Sequence, residues 1–165
     1  MPIRLLLVDD HAIMIDGLVA LLNGTEDLNV SAQAVNGAFA LAHLKNQPFE
    51  LMVSDFNLPD MDGALLIKQA KAIQPALRIV VLTMHEEPHV VRAVMTAGAD
   101  AYVLKKYAHD ELLHAIETVL KGRQYLSAEV SRALLVREAE VAPENQISER
   151  ELEVLELLIE EKTSK

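Results

Sequence analysis

The chain has 165 residues, no cysteine and a formal net charge of −10. Disulfide staples, zinc–thiolate sites and thiol nucleophiles are therefore excluded. The acidic balance argues against broad contact with nucleic acid, whose affinity comes largely from Lys and Arg on phosphates.

At 51% hydrophobic and 4% aromatic, the chain can bury an aliphatic core. The opening MPIRLLLVDD has an apolar run too short for a signal peptide, and it ends in acid. No stretch approaches the roughly 18 apolar residues of a spanning helix. A cytoplasmic protein without membrane contact is expected.

Aliphatic runs alternate with helix-length segments. Ile3–Val8 reads as a buried parallel strand. A helix over about 11–22 closes at Asn23-Gly24, and a strand follows over 29–35. A helix over about 38–46 stops near Pro48, and Leu51–Ser54 is the third strand. The loop from Asn57 to Gly63 carries Pro59 and leads to a helix over about 63–73. Arg78–Leu82 is the fourth strand. A helix over about 88–97 closes at Gly98, a C′ position. Ala101–Leu104 is the fifth strand, and a helix over about 109–121 closes at Gly122. Five such alternations predict an α/β fold, a parallel sheet with helices on both faces.

After Tyr125 the pattern changes. Ser127 looks like the N-cap of a polar helix over about 128–139, and 140–146 reads as a linker. Ser148-Glu-Arg-Glu151 matches a capping box. Leu152, Leu155, Leu158 and Ile159 then form an amphipathic stripe, which one helix cannot bury by itself.

Chemistry-bearing residues fall at strand ends. Asp9 and Asp10 follow the first strand, Asp55 the third, Thr83 the fourth and Lys105 the fifth. The carboxyl ends of parallel strands line one rim, so these side chains can share a pocket. Clustered carboxylates repel. A divalent cation and an ammonium relieve that repulsion, the combination phosphoryl chemistry on an aspartate needs. Taken singly, each residue has a plainer reading. Asp9-Asp10 can cap a helix, Asp55 can sit in a turn, and Thr83 and Lys105 can be an ordinary strand-end hydroxyl and a solvated lysine. Asp60 and Asp62 read as turn and cap residues. His11, His85, His89 and His109 lie near strand-to-helix junctions, where solvated or capping roles are expected. His85 can also influence water attack on a phosphoryl group. His43 and His114 read as surface residues.

Together these positions resemble the receiver domain of two-component response regulators, a flavodoxin-like doubly wound fold. The resemblance covers about 1–122 and implies a five-stranded sheet of order 2-1-3-4-5. It implies Asp55 as phosphoacceptor, Asp10 as direct Mg2+ ligand, Asp9 acting through water, and Asn57 lending its backbone carbonyl. Thr83 would be the switch hydroxyl, Lys105 the phosphate-binding lysine and Tyr102 the switch aromatic. A histidine kinase would be the phosphodonor, with no turnover enzyme beyond self-phosphorylation and self-dephosphorylation. Met84 and Lys106 depart from common usage, which favours a small residue and a proline there. Met84 can slow access to the site, and without the proline a cis peptide is not expected.

Gly122–Ser127 and Ile147–Leu158 resemble the NarL/LuxR-type regulators, which add a helix-turn-helix domain. The expected division is a receiver over 1–122, a linker with a helix over 123–146, and that domain's first helix over 147–165. The recognition helix is not in the sequence, so DNA binding is expected only with the missing helices restored. A homodimer is expected through the first helix with the fifth, or through the last helix. Met14, Leu18, Leu21 and Leu22 are predicted to face the core, with Ile15 and Val19 at the stripe's edge. Two other readings compete. A haloacid-dehalogenase-type phosphohydrolase needs an Asp-x-Asp signature that neither Asp9-Asp10-His11 nor Asp55-Phe56-Asn57 supplies. A receiver-like scaffold working without phosphorylation would not need all five positions filled.

Overall fold

Aliphatic runs with few polar interruptions make the strands of one sheet in this computed structural model, which describes residues 2–135. The strands are β1 (Ile3–Val8), β2 (Leu28–Ala34), β3 (Leu51–Ser54), β4 (Arg78–Thr83), β5 (Ala101–Leu104) and β6 (Tyr125–Leu126). The helices are α1 (Ala12–Asn23), α2 (Gly37–Asn46), α3 (Gly63–Ile73), α4 (Pro88–Ala97) and α5 (Ala108–Leu120). The sheet order is β2-β1-β3-β4-β5-β6, and all five pairings are parallel. The flavodoxin-like order 2-1-3-4-5 is thus present. It is extended by a sixth strand, where five were expected.

The expected linker includes the residues of β6, because two residues carry no period. They pair because Tyr125 N–H donates to Asp100 O (3.1 Å) and Ser127 N–H to Tyr102 O (2.9 Å). The buried Ser127 hydroxyl accepts from Leu104 N–H (3.2 Å) and donates to Glu111 (2.7 Å). The boundary expected at 122 therefore falls inside a unit that runs from Met1 to Ser127, and a second unit follows from Ala128. Of that second unit, the helix over 128–135 is described. The expected linker over 140–146 and helix over 147–165 lie outside the described residues.

Alternation divides the sheet's side chains between two faces. Leu5, Leu7, Leu51, Val53, Val80, Leu82 and Val103 pack with Leu18, Leu22, Leu112, Ile116 and Val119 of α1 and α5. Leu6, Met52, Ile79, Val81 and Tyr102, also buried, take the opposite parity. On α1 the core stripe is Ile15, Leu18 and Leu22, at i, i+3 and i+7. Ile15 was expected at the edge. It lies in the core, while Met14 and Leu21 are only partly buried beside it. Neighbouring positions on a helix differ by about 100°, so the stripe's centre sits one residue from where the aliphatic count placed it.

Two glycines carry specific geometry. Gly98 closes α4 at φ 126°, a conformation side chains resist. A Cβ on Gly63 would stand 2.7 Å from Phe56 Cα, so α3 can begin this close to the β3 loop only with glycine. Fully buried Leu66 on α3 tests the packing. Leu66→Ala should cost about 2–5 kcal/mol in urea unfolding. Ile13→Ala, at a side chain 88% exposed, should stay within about 0.5 kcal/mol.

Candidate functional site

The parallel ladder carries Asp9 and Asp55 to one rim. Asp9 N–H donates to Ala34 O (3.1 Å) and Asp55 N–H to Val8 O (3.0 Å), continuing the strand pairing past β1 and β3. Both carboxylates are buried, at 2% and 4% exposure. Chain direction alone brings a third group to them. Lys105 follows β5 in a short 3-10 turn, Lys105–Tyr107, that the sequence did not announce. Its Nζ lies 3.0 Å from Asp9 Oδ2 and 3.0 Å from Asp55 Oδ2. Burial pulls the ammonium's pKa down, but the hydrogen bonds and charges of Asp55 and Asp9 outweigh it and hold the pKa above the ordinary lysine value. Lys105 therefore stays charged between the two acids.

Asp10 is more open, its side chain about one-third exposed. One donor atom from each of Asp9, Asp10, His11 and Asp55 lies within 4.8 Å of the others. Three carboxylates of this kind are hard oxygen donors and suit a magnesium ion. Asn57 is exposed; its N–H donates to Asp55 Oδ1 at 3.3 Å. The loop bearing it is tied down at its far side. Asp60 accepts from Gly37 N–H (2.8 Å) and Ala38 N–H (2.9 Å) at the start of α2. These two bonds hold its carboxyl below the ordinary aspartate value. Asp62 caps α3 by accepting from Leu65 N–H at 2.9 Å. The expected turn and cap roles of both acids are met, with Asp60 reaching a different helix.

Thr83 and Tyr102 are fully buried. Both reach His85. Its N–H donates to Thr83 Oγ1 (3.4 Å), and its carbonyl accepts from Tyr102 OH (2.9 Å). Burial, with Glu87 and Asp55 nearby, pushes the Tyr102 hydroxyl far above the ordinary tyrosine range. The His85 ring accepts from Asn57 Nδ2 (2.7 Å), contacts Glu87 through Nδ1 (3.1 Å) and meets Phe56 edge-on. A solvated or capping His85 was expected; it instead joins the loop after Asp55 to the end of β4. The spacing of two from both Asp55 to Asn57 and Thr83 to His85 was the available signal. His89 and His109 are exposed, as expected. His43 and His114 carry local contacts, to Gln33 O and to the Tyr125 ring.

Met84 is 77% exposed and borders a cleft of about 590 Å3 with His11, Ile13, Met14, Lys105 and Lys106. No peptide among the described residues is cis, which fits Lys106 in place of proline.

Residues 5–117 match the response regulator receiver domain. The chain belongs to that family. It is 30% identical over 163 residues to the transcriptional regulatory protein MctR of Rhizobium johnstonii, covering 99% of this chain and 76% of that protein. It is 31% identical to UhpA of Salmonella typhimurium, covering 94% and 76%. Among solved structures, a LuxR-family two-component response regulator from Aurantimonas superposes with TM-score 0.80 at 28% identity, covering 84% of this chain and 99% of that one. RcsB of Salmonella typhimurium superposes at 0.77 and 28%, covering 86% and 68%. The protein is a two-component response regulator of the NarL/LuxR type. Among its described residues no helix is long and apolar enough to cross a membrane.

The receiver's buried ionisable groups give a pH signature. Lys105 and Tyr102 both have raised folded-state values. The unfolded chain loses these protons first as pH rises, so stability is full below the unfolded values and falls above about pH 10. Tyr125, raised by burial and by Glu111, adds to the fall. Urea midpoints between pH 8 and 11 should drop in the wild type and drop less steeply in Tyr102→Phe. Equal slopes in the two proteins contradict the buried hydroxyl's part.

Proposed function

We propose that Asp55 is the phosphoacceptor of this receiver and that the phosphorylated form switches an interaction surface. The observation that carries the reading is the pair of 3.0 Å contacts from Lys105 to Asp9 and Asp55. A buried carboxylate beside a fixed ammonium can attack phosphorus, and the ammonium is already placed for the phosphoryl oxygens. An oxygen of Asp55 forms the new bond to phosphorus as the donor's leaving group departs with its electron pair. The product is an acyl phosphate. Asp10, Asp55 and the Asn57 carbonyl would hold a magnesium ion, with Asp9 acting through water; when bound, it neutralises charge on the phosphoryl oxygens. Lys105 exchanges a carboxylate contact for a phosphoryl contact. Thr83 donates its hydroxyl to the phosphoryl group, and Tyr102, through His85, carries the change to the end of β4 and to β5.

A histidine kinase is the natural donor for a two-component regulator, and a cytoplasmic location follows from that partnership. In this reading, the unit that ends at Ser127 holds the chemistry, the residues after it link, and 147–165 resemble the first helix of a helix-turn-helix domain. Solved RcsB structures include dimers bound to DNA, and a homodimer is the proposed phosphorylated state here. Ile13, on the outer face of α1, is its best-exposed apolar side chain. The phosphoacceptor, rather than turnover of an organic phosphate or a scaffold indifferent to phosphate, is what the Lys105 contacts favour.

Acetyl phosphate with Mg2+, followed by borohydride trapping and mass spectrometry, should label Asp55 alone. Asp55→Asn should abolish labelling. A label on Asp9, Asp10 or Asp60 in the wild type overturns the assignment. Light scattering with beryllofluoride should show a dimer that Ile13→Glu weakens; a strict monomer at high micromolar concentration removes the dimer from the reading.

A further inference from the structure

The cleft of about 590 Å3 has the size of a small-molecule site. One wall is a face of α1, where Met14, Gly17 and Leu21 follow at i, i+3 and i+7. The facing wall is basic: Lys105, Lys106 and His109 run from the end of β5 into α5. Lys105 joins the cleft to the candidate phosphoacceptor, since its Nζ lies 3.0 Å from Asp55 Oδ2.

Resting on Asp55 as phosphoacceptor, we propose that this cleft receives the leaving group of a small phosphodonor. The donors it favours are acyl phosphates whose aliphatic chain is longer than that of acetyl phosphate.

Three observations carry this. Ile13 and Met84, 88% and 77% exposed, are the most exposed large apolar side chains among the described residues, and both border the cleft. Exposed apolar side chains gathered at one place mark binding sites. Next, Gly17 sits inside α1, where glycine is less favourable than alanine. A Cβ on it would meet nothing within 4 Å, so packing among the described residues does not require the glycine. Its effect is to leave the α1 wall open to a ligand. Finally, an apolar wall opposite a basic one matches a leaving group that is an aliphatic carboxylate. An Asp55 oxygen forms the bond to phosphorus, the bond from phosphorus to the acyl oxygen breaks, and the carboxylate departs with the electron pair. No proton has to move. The new negative charge forms beside the basic wall, and the chain lies on α1 and Met84.

The alternative is that a surface of another protein covers the cleft. Such a surface would shield Met14 and Leu21 without distinguishing one small donor from another. The whole chain, with Mg2+ and either acetyl or butyryl phosphate at equal subsaturating concentration, separates the two when Asp55 labelling is followed by intact mass. The two leaving acids are nearly equal in strength, so bond cleavage itself does not favour either donor. Two further methylenes leaving water should make butyryl phosphate about tenfold the faster. Gly17→Leu fills the cleft from α1 with a better helix former, and urea unfolding checks that it folds. In that variant the ratio should fall to about two or less, with labelling by acetyl phosphate unchanged. Met84→Ser should lower the ratio about threefold by removing apolar surface from the opposite lip. A wild-type ratio near one, or a ratio that neither variant changes, overturns the proposal and leaves the phosphoacceptor assignment standing. If neither donor labels Asp55, both fall.

Discussion

Asp9 and Asp55 are both nearly closed to solvent, and two buried carboxylates this close would repel each other and lose their hydration together. Lys105 makes the arrangement tenable. Its one ammonium contacts both at 3.0 Å, and its side chain is itself only 8% exposed. Three groups that would each be costly to bury singly are buried as one unit. A buried ion pair of this kind is a poor source of net stability but becomes expensive when one partner is removed. The same poise serves the proposed chemistry, because a phosphoryl group on Asp55 would bring new negative charge to an ammonium already in place.

The rest of the fold delivers those three groups to one rim. Parallel strands β1, β3 and β5 end on the same edge, so residues distant in sequence meet without any long loop. The loop after Asp55 is held by Asp60 on the start of α2 and by the close approach of Gly63 to Phe56. On the other side, His85 gathers Thr83, Tyr102 and Asn57 through its backbone and its ring. The edge of the sheet next to Tyr102 is paired with β6, whose successor Ser127 also bonds Leu104 N–H and Glu111. Strand β5 thus stands between β4 and β6 in the sheet.

Much of this was legible from the sequence because it depends on periodicity and on strand ends. Unbroken aliphatic runs declare buried parallel strands, and polar residues directly after them declare the rim. Asp9, Asp55, Thr83 and Lys105 are therefore marked as rim residues by the sequence, and β3, β5 and the closure of α4 at Gly98 coincide with expectation. What was missed has no period. Strand β6 is two residues long and is specified by partners on β5. The turn at Lys105–Tyr107 contains no glycine or proline to mark it. The α1 stripe was misplaced because nearly all of its residues are aliphatic, so composition does not say which of Met14 and Ile15 faces inward. His85 reads as a solvated or capping residue because what distinguishes it, the contact of its ring with Asn57, is set between separate segments.

The central claim is that Lys105 is the counter-charge that makes the Asp9–Asp55 pair possible. Urea unfolding in chelator-treated buffer at neutral pH tests it with Lys105→Met alone and combined with Asp9→Asn. Removing the ammonium should cost at least about 2 kcal/mol, since it leaves buried carboxylates unpaired. Neutralising Asp9 in the same molecule should restore most of that loss. A Lys105→Met protein as stable as the wild type, or one that Asp9→Asn destabilises further, would contradict the account.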